Sequence, residues 1–381
     1  MDSRVHPASP GDVTPAWLTD VLRQSGSLAE GRVTGFQTAI IGAERGFTGV
    51  IARLALRYDP VDRNAPASLI AKFPLTARAV EASDQGAQTQ PSDVARQMVE
   101  RAEREVAFYR AAGAGLPQLP RCYFGHADIE AGEAVLLLED LSEGAPGDAL
   151  SGCTVAEARA VLAAIGDMHA RWWADDALPA LAWLADWSAT SQRRAVQYSE
   201  QVEAVLRAYG DRLLAPAADL LRALVEPFER ILAGLAAAPE TVIHADLHLD
   251  NVIFVTAAGG FQAKIIDWQS PSRGAAMLDV AGFIAESLSI DDRRARETEL
   301  LRGYHRGLLD AGVKQYGFDR LYADYRRALC VRCAGQVGWL ARVSANAPSG
   351  RERALVDALV DPGNVFAALL DHAPALGLGR S

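Results

Sequence analysis

The chain has 381 residues, half of them apolar and 23% charged, with a formal net charge of −10. This is a globular composition with room for one large two-lobed enzyme or two to three domains, and it excludes a disordered chain. It also argues against a nucleic-acid binder, because no basic surplus exists to neutralise phosphates.

No targeting or spanning segment is evident. The first residues, Met1-Asp2-Ser3-Arg4-Val5-His6-Pro7, lack the apolar core of a signal peptide. No apolar run approaches the ~20 residues of a membrane helix. Four cysteines make no disulfide framework. The cytoplasm is therefore the expected compartment, with no membrane association.

In chain order, Thr14-Pro15 is a helix start, and Trp17, Leu18, Val21 and Leu22 recur at helical spacing. Strands are predicted over Phe36 to Ile41, Val50 to Tyr58 and Ser68 to Phe73. Between the first two lie glycines 42, 46 and 49 with Thr48, a loop able to bring backbone N–H groups, Gly46 and the Thr48 hydroxyl against a phosphate. A plain hairpin turn fits those glycines equally well.

A polar loop follows over residues 81–91, then a helix from Asp93 to Ala112. Two more strands are predicted at Cys122 to Gly125 and Ala134 to Leu138. Ala- and Leu-rich helices follow: Thr154 to Ala174, opened by a capping box, then Ser191 to Ala208, then Pro216 to Ala238. Trp183 and Trp187, four apart, are expected on one helix face. A compact strand unit spans 242–267, and helices fill the remainder.

The order is α+β: a helical adaptor over 1–33, a β-rich lobe over 34–141 and a helical lobe over 142–381. Cys330 and Cys333 fall in a helical stretch without a second pair, so they read as core neighbours, not a redox or zinc site.

The chemistry concentrates in His244-Ala245-Asp246-Leu247-His248-Leu249-Asp250-Asn251 and in Ile265-Ile266-Asp267-Trp268. Phosphoryl transfer needs a carboxylate beside the attacking hydroxyl and oxygen ligands for magnesium. Asp246 suits the first task, Asn251 and Asp267 the second, and His244 an orienting role in the loop. Lys72 ends an apolar strand, so its ammonium needs a partner. The phosphates and a glutamate on the next helix would serve, Glu105 first and Glu103 second. Residues 135–141 leave the β region, where backbone at Glu139 and Leu141 is expected to read a base edge. Val50, Ile70 and Ile253 are expected as apolar walls for that base.

Together, H-x-D-x-x-x-x-N, I-I-D-W, the strand lysine, E-x-x-F-Y and L-L-E-D-L resemble the aminoglycoside phosphotransferase superfamily, in its ecdysteroid-kinase-like branch. The resemblance covers roughly residues 34–285. It implies a protein-kinase-like fold, with ATP between two lobes, Mg2+ as the metal and a small-molecule alcohol as acceptor. No protein partner is implied. Carried over residue by residue, it puts the base on Asp246, magnesium on Asn251 and Asp267, phosphate contact on Lys72 and its ion pair on Glu105. It also implies that Asp279 braces the catalytic loop. One departure is Leu249-Asp250, where the superfamily often has proline or serine and glycine.

Two rivals stay open. A metal-dependent hydrolase would use His244, Asp246, His248 and Asp250, which share one face if they form a strand. A non-catalytic kinase-like binding module would use the fold without the reaction. A protein kinase proper is disfavoured because no A-P-E-like segment follows Asp267.

Overall fold

The computed structural model describes residues 6–41, 49–74, 91–113, 115–214, 216–257, 260–344, 348–361 and 363–378. The chain divides into two compact units. The first comprises Met1–Glu143 and Ile266–Ser270, and the second Gly144–Ile265 and Pro271–Ser381.

The first unit is a five-stranded antiparallel sheet with a helix on each face. Its strands are β1 (Arg32–Ile41), β2 (Gly49–Asp59), β3 (Ser68–Pro74), β4 (Cys122–Asp128) and β5 (Glu133–Glu139), ordered β1-β2-β3-β5-β4. Helix α1 (Pro15–Gln24) begins where the Thr14 hydroxyl accepts the N–H of Trp17 at 3.2 Å. Its Leu18, Val21 and Leu22 join Ala52, Leu54, Leu69, Ala71, Phe73, Val135 and Leu137 in one core. Alternate strand residues face alternate sides of a sheet, so these positions leave Ile51, Lys72 and Leu136, directly opposite one another, on the other face. That face packs against α2 (Pro91–Ala112). The same period of two that builds the core thus turns a lysine toward a helix.

The second unit is mainly helical. Its short strands are β6 (Ala145–Pro146), β7 (Ala185–Asp186), β8 (Glu240–Ile243), β9 (Val252–Ala257), β10 (Gly260–Ile265) and β11 (Ser272–Ala275). They form two three-stranded sheets, β10-β9-β6 and β7-β11-β8. Around them lie α3 (Val155–Arg171), α4 (Ser191–Tyr209), α5 (Ala217–Ala223), α6 (Phe228–Ala236), α7 (Met277–Ser287), α8 (Ile290–Asp310), α9 (Phe318–Ser344), α10 (Gly350–Val360) and α11 (Asn364–His372).

Helix α9 is central, packing against α4, α6, α7 and α11. It buries both Cys330 and Cys333 as free thiols, neighbours one turn apart in the core. Among the described residues, no helix is long and apolar enough to cross a membrane.

Two local expectations are corrected. The helix predicted over Pro216 to Ala238 is two helices, α5 and α6, with Pro227 capping the second. A proline lacks the N–H that would continue the first helix and disfavours helical backbone in the residue before it. Trp183 and Trp187 share no helix, because the two-residue strand β7 lies between them. Trp187 is buried, and the Arg194 guanidinium lies 4.7 Å from its ring centre.

Helix α3 carries a complete capping box. Thr154 accepts from the Glu157 N–H at 3.2 Å, and the Glu157 carboxylate accepts from the Thr154 N–H at 2.8 Å. Thr154→Ala should therefore cost about 1 kcal/mol, read as a lower urea midpoint with an unchanged slope.

Candidate active site

In the first unit, Lys72 Nζ donates to both carboxylate oxygens of Glu105, at 2.8 and 2.9 Å, and to Asp267 Oδ1 at 2.7 Å. Lys72 is 13% exposed and Glu105 3%. Burial alone would drive the proton off Lys72, but the Glu105 and Asp267 carboxylates outweigh it and hold the ammonium well above its ordinary pKa. Helix geometry chooses the partner: Glu105 faces inward and Glu103 is exposed.

Asp267 reaches Lys72 from a left-handed backbone conformation, φ +65°, which few non-glycine residues adopt. Two contacts hold it there. Gln269 Nε2 donates to the same oxygen at 2.8 Å, and the adjacent Trp268 is fully buried and stacked on Phe108, with ring centres 3.9 Å apart and planes 8° apart. Phe108 follows Glu105 by three residues, so one face of α2 supplies both the ion pair and the stacking platform. Sequence reasoning missed this second contact, although E-x-x-F and D-W carried its signal.

The strand-end residues are placed as follows. The Glu139 N–H donates to the Arg121 carbonyl at 2.8 Å, and its carboxylate accepts the Arg121 N–H at 3.0 Å. That N–H is therefore already engaged. Leu141 is buried. Val50 pairs with Phe73, whereas Ile70 shares the parity of Lys72. The two expected apolar walls thus lie on opposite faces of the sheet, and Ile51 shares the Lys72 face in place of Val50. Gly46 and Thr48 lie outside the described residues. Gly49 is described, and a Cβ there would sit 2.3 Å from the Phe73 carbonyl oxygen, so glycine alone lets β2 approach β3.

In the second unit, β8 runs into residues 244–248 and then a single 3-10 turn, Leu249–Asn251, before β9. The loop hangs from one carboxylate. Asp279, buried in the first turn of α7, accepts the N–H of His244 at 2.6 Å and that of Ala245 at 2.9 Å. His169 Nε2 lies 3.3 Å from it, and His169 Nδ1 is 2.7 Å from the Tyr304 hydroxyl. Burial pushes the Asp279 carboxyl up, but the hydrogen bond and charge of His169, with the backbone donor of His244, bring it below the ordinary range. Two donors converging on one carboxylate require a tight bend, and Ala245 takes it at φ +64°.

His244 is wholly buried, and its Nδ1 accepts the N–H of Asp246 at 3.3 Å. The Asn251 amide nitrogen donates to the Asp246 carbonyl at 3.0 Å and lies 3.2 Å from His248 Nε2. These bonds leave the Asp246 carboxylate 57% exposed, with His248 Nε2 3.8 Å away. Ile253 sits in β9 opposite Pro146 and Lys264.

The hydrolase geometry does not form. Residues 244–251 are a loop and a 3-10 turn, so the alternating side chains share no strand face, and Asp250 is bound by Arg351. Among the described residues, no group of three or more His, Cys, Asp or Glu is arranged to hold a metal.

The brace carries a pH signature. Its folded pKa is depressed, so its contribution is complete above the unfolded value of about 3.9 and is lost as pH falls through the folded value. Asp279→Asn should cost about 1.5–3 kcal/mol at pH 7 and flatten the fall in urea stability below about pH 4. An acid limb of unchanged steepness would count against the brace.

Against known proteins, the sequence profile of the ecdysteroid kinase-like family matches residues 44–317. No curated protein matches the chain. Among solved structures, choline kinase from Cryptosporidium parvum Iowa II is similar at a TM-score of 0.54 and 9% identity, covering 96% of this chain and 98% of its own. A mutant aminoglycoside 2′-phosphotransferase-IIIa in complex with GDP is similar at 0.51 and 12% identity, covering 96% and 99%. At these identities the likeness speaks for the fold, which is protein-kinase-like. The sequence match spans well over half the chain, in the region that builds the lysine pair and the braced loop, and the chain belongs to the ecdysteroid kinase-like family.

Proposed function

We propose that the protein transfers the γ-phosphoryl group of ATP, with magnesium, to a hydroxyl of a small molecule. The observation that carries this reading is the division of labour in the loop 243–251. Its backbone is tied to Asp279, and Asn251 to His248 and to the Asp246 carbonyl, while the Asp246 carboxylate is turned outward. A carboxylate held on a fixed loop and exposed to solution is suited to accept a proton from a bound alcohol.

Asp246 then orients the acceptor hydroxyl and takes its proton as the oxygen–phosphorus bond forms and the bond to the leaving diphosphate breaks. Lys72, kept charged by its two carboxylates, binds phosphate oxygens of the nucleotide. Glu105 keeps that ammonium positioned, and its burial prevents it from wandering to solvent.

The donor chemistry fits a hard cation. The Asn251 amide nitrogen is spent on the loop, which leaves its oxygen as the ligand, and Asp267 offers a carboxylate. Magnesium held by oxygens of this kind would neutralise phosphate charge. The relatives named above are a choline kinase and an aminoglycoside phosphotransferase, so the acceptor class proposed here is a small-molecule alcohol. The GDP in the second relative makes GTP the comparison nucleotide for any assay. Selection of the acceptor is assigned to the helical segments over 143–240 and 290–370.

A metabolite screen with Mg·ATP, reading products by the mass of one added phosphoryl group, identifies the acceptor. With that acceptor, Asp246→Ala should lower turnover by roughly 10²–10⁴-fold while ATP binding persists, and unchanged turnover would remove Asp246 from the role of base. Asp267→Ala should weaken Mg·ATP binding measured by calorimetry. Wild-type affinity in that variant would remove Asp267 from the metal site.

A further inference from the structure

Asp250 stands between Asp246 and Asn251, yet its carboxylate bonds elsewhere. Oδ1 accepts the Ala149 N–H at 3.0 Å, and both oxygens lie within 2.9 Å of Arg351 Nη2. The same nitrogen lies 2.7 Å from Asp148 Oδ1. Asp148 also accepts from the Leu150 N–H and the Ser151 hydroxyl. One guanidinium from the start of α10 therefore joins two acids that are 102 positions apart in sequence, on the residue 147–151 segment and in the catalytic loop.

The two segments are also in backbone contact. The Gly147 N–H donates to the Val252 carbonyl at 2.9 Å. A Cβ at Gly147 would lie 2.3 Å from the Leu249 carbonyl oxygen, so only glycine lets the segment lie against the 3-10 turn.

We propose that Arg351 is a positioning residue of the catalytic loop. It clasps Asp250 to Asp148 and thereby fixes the Leu249–Asn251 turn that aims the Asn251 amide oxygen. The proposal rests on the kinase reading above. The bridge is about one-third exposed at Arg351, so its free energy is small and its effect is geometric. Without the guanidinium, two carboxylates that shared one nitrogen face each other, and their repulsion pushes the turn off the segment that supports it. The Arg351 hydrogen bond is the leading cause that lowers the Asp148 carboxyl to about 2, so Asp148 meets the guanidinium as a carboxylate at neutral pH.

The test is Mn(II) binding to the full-length ATP-bound protein, followed by the loss of the free-ion paramagnetic resonance signal. Metal-free ATP affinity and thermal unfolding are measured alongside. Arg351→Met should weaken Mn(II) binding roughly tenfold or more, the range for residues that orient metal ligands. Metal-free ATP affinity should stay at the wild-type value. Arg351→Lys, which keeps the charge, should recover most of the loss, and Arg351→Met with Asp148→Asn should recover part by removing the repulsion.

Wild-type Mn(II) affinity in Arg351→Met overturns the clasp. So does an equal loss of metal-free ATP binding, which would mark a general structural defect. If Arg351→Met does not fold, the Arg351→Met/Asp148→Asn pair is judged by the same criteria. A wild-type protein that binds no Mn(II)·ATP overturns the kinase reading itself, an outcome distinct from failure of the clasp.

Discussion

A carboxylate taken out of water must find donors, and Asp279 finds them in the backbone of another segment. Its two oxygens take the N–H groups of His244 and Ala245, and His169 supports it from α3. This single demand organises the loop after β8. It bends the chain after β8 into a left-handed step at Ala245, orients the His244 ring inward, and leaves the next carboxylate, Asp246, facing out. The exposed acid depends on the buried one.

The first unit solves a related problem with a cation. Lys72 must lie on the α2 face because Ala71 and Phe73 fill the α1 face. Once there, it needs anions, and Glu105 and Asp267 supply them. The apolar stack of Trp268 on Phe108 matters as much, since charge pairing alone is weakly directional. Together, stack and ion pair fix the left-handed Asp267 at a defined position. Each unit thus has a left-handed step at or beside a candidate carboxylate, at Asp267 itself and at Ala245 before Asp246, with a buried contact next to it.

Much of the fold was legible because it is periodic or punctuated. The alternation in β2, β3 and β5, the Thr14 and Thr154 caps and the 3.6-residue spacing of α1 are local signals. They were read at the right places because local backbone energetics produces them. Pro227 stands inside the run predicted as one helix from Pro216, and its missing N–H decides for two. Trp183 and Trp187 show the opposite error, a helical spacing without a helix. Among the candidate residues, Lys72 stood out because an ammonium in an apolar strand needs a partner, and Asp246, Asn251 and Asp267 because their spacing suits phosphoryl transfer.

By itself, the sequence named the candidate residues and their order, since spacing within a loop or hairpin is set by the local chain. Only the tertiary structure decided their partners. It brought Glu105, the first-ranked of the two glutamates, onto Lys72, put Val50 and Ile70 on opposite faces through strand register, and drew Trp268 onto Phe108. It also took Asp250 from the hydrolase pattern and gave it to Arg351, from 101 residues downstream. Such pairings come from burial and charge compensation between segments distant in sequence, so a local motif can name a candidate partner but does not place it.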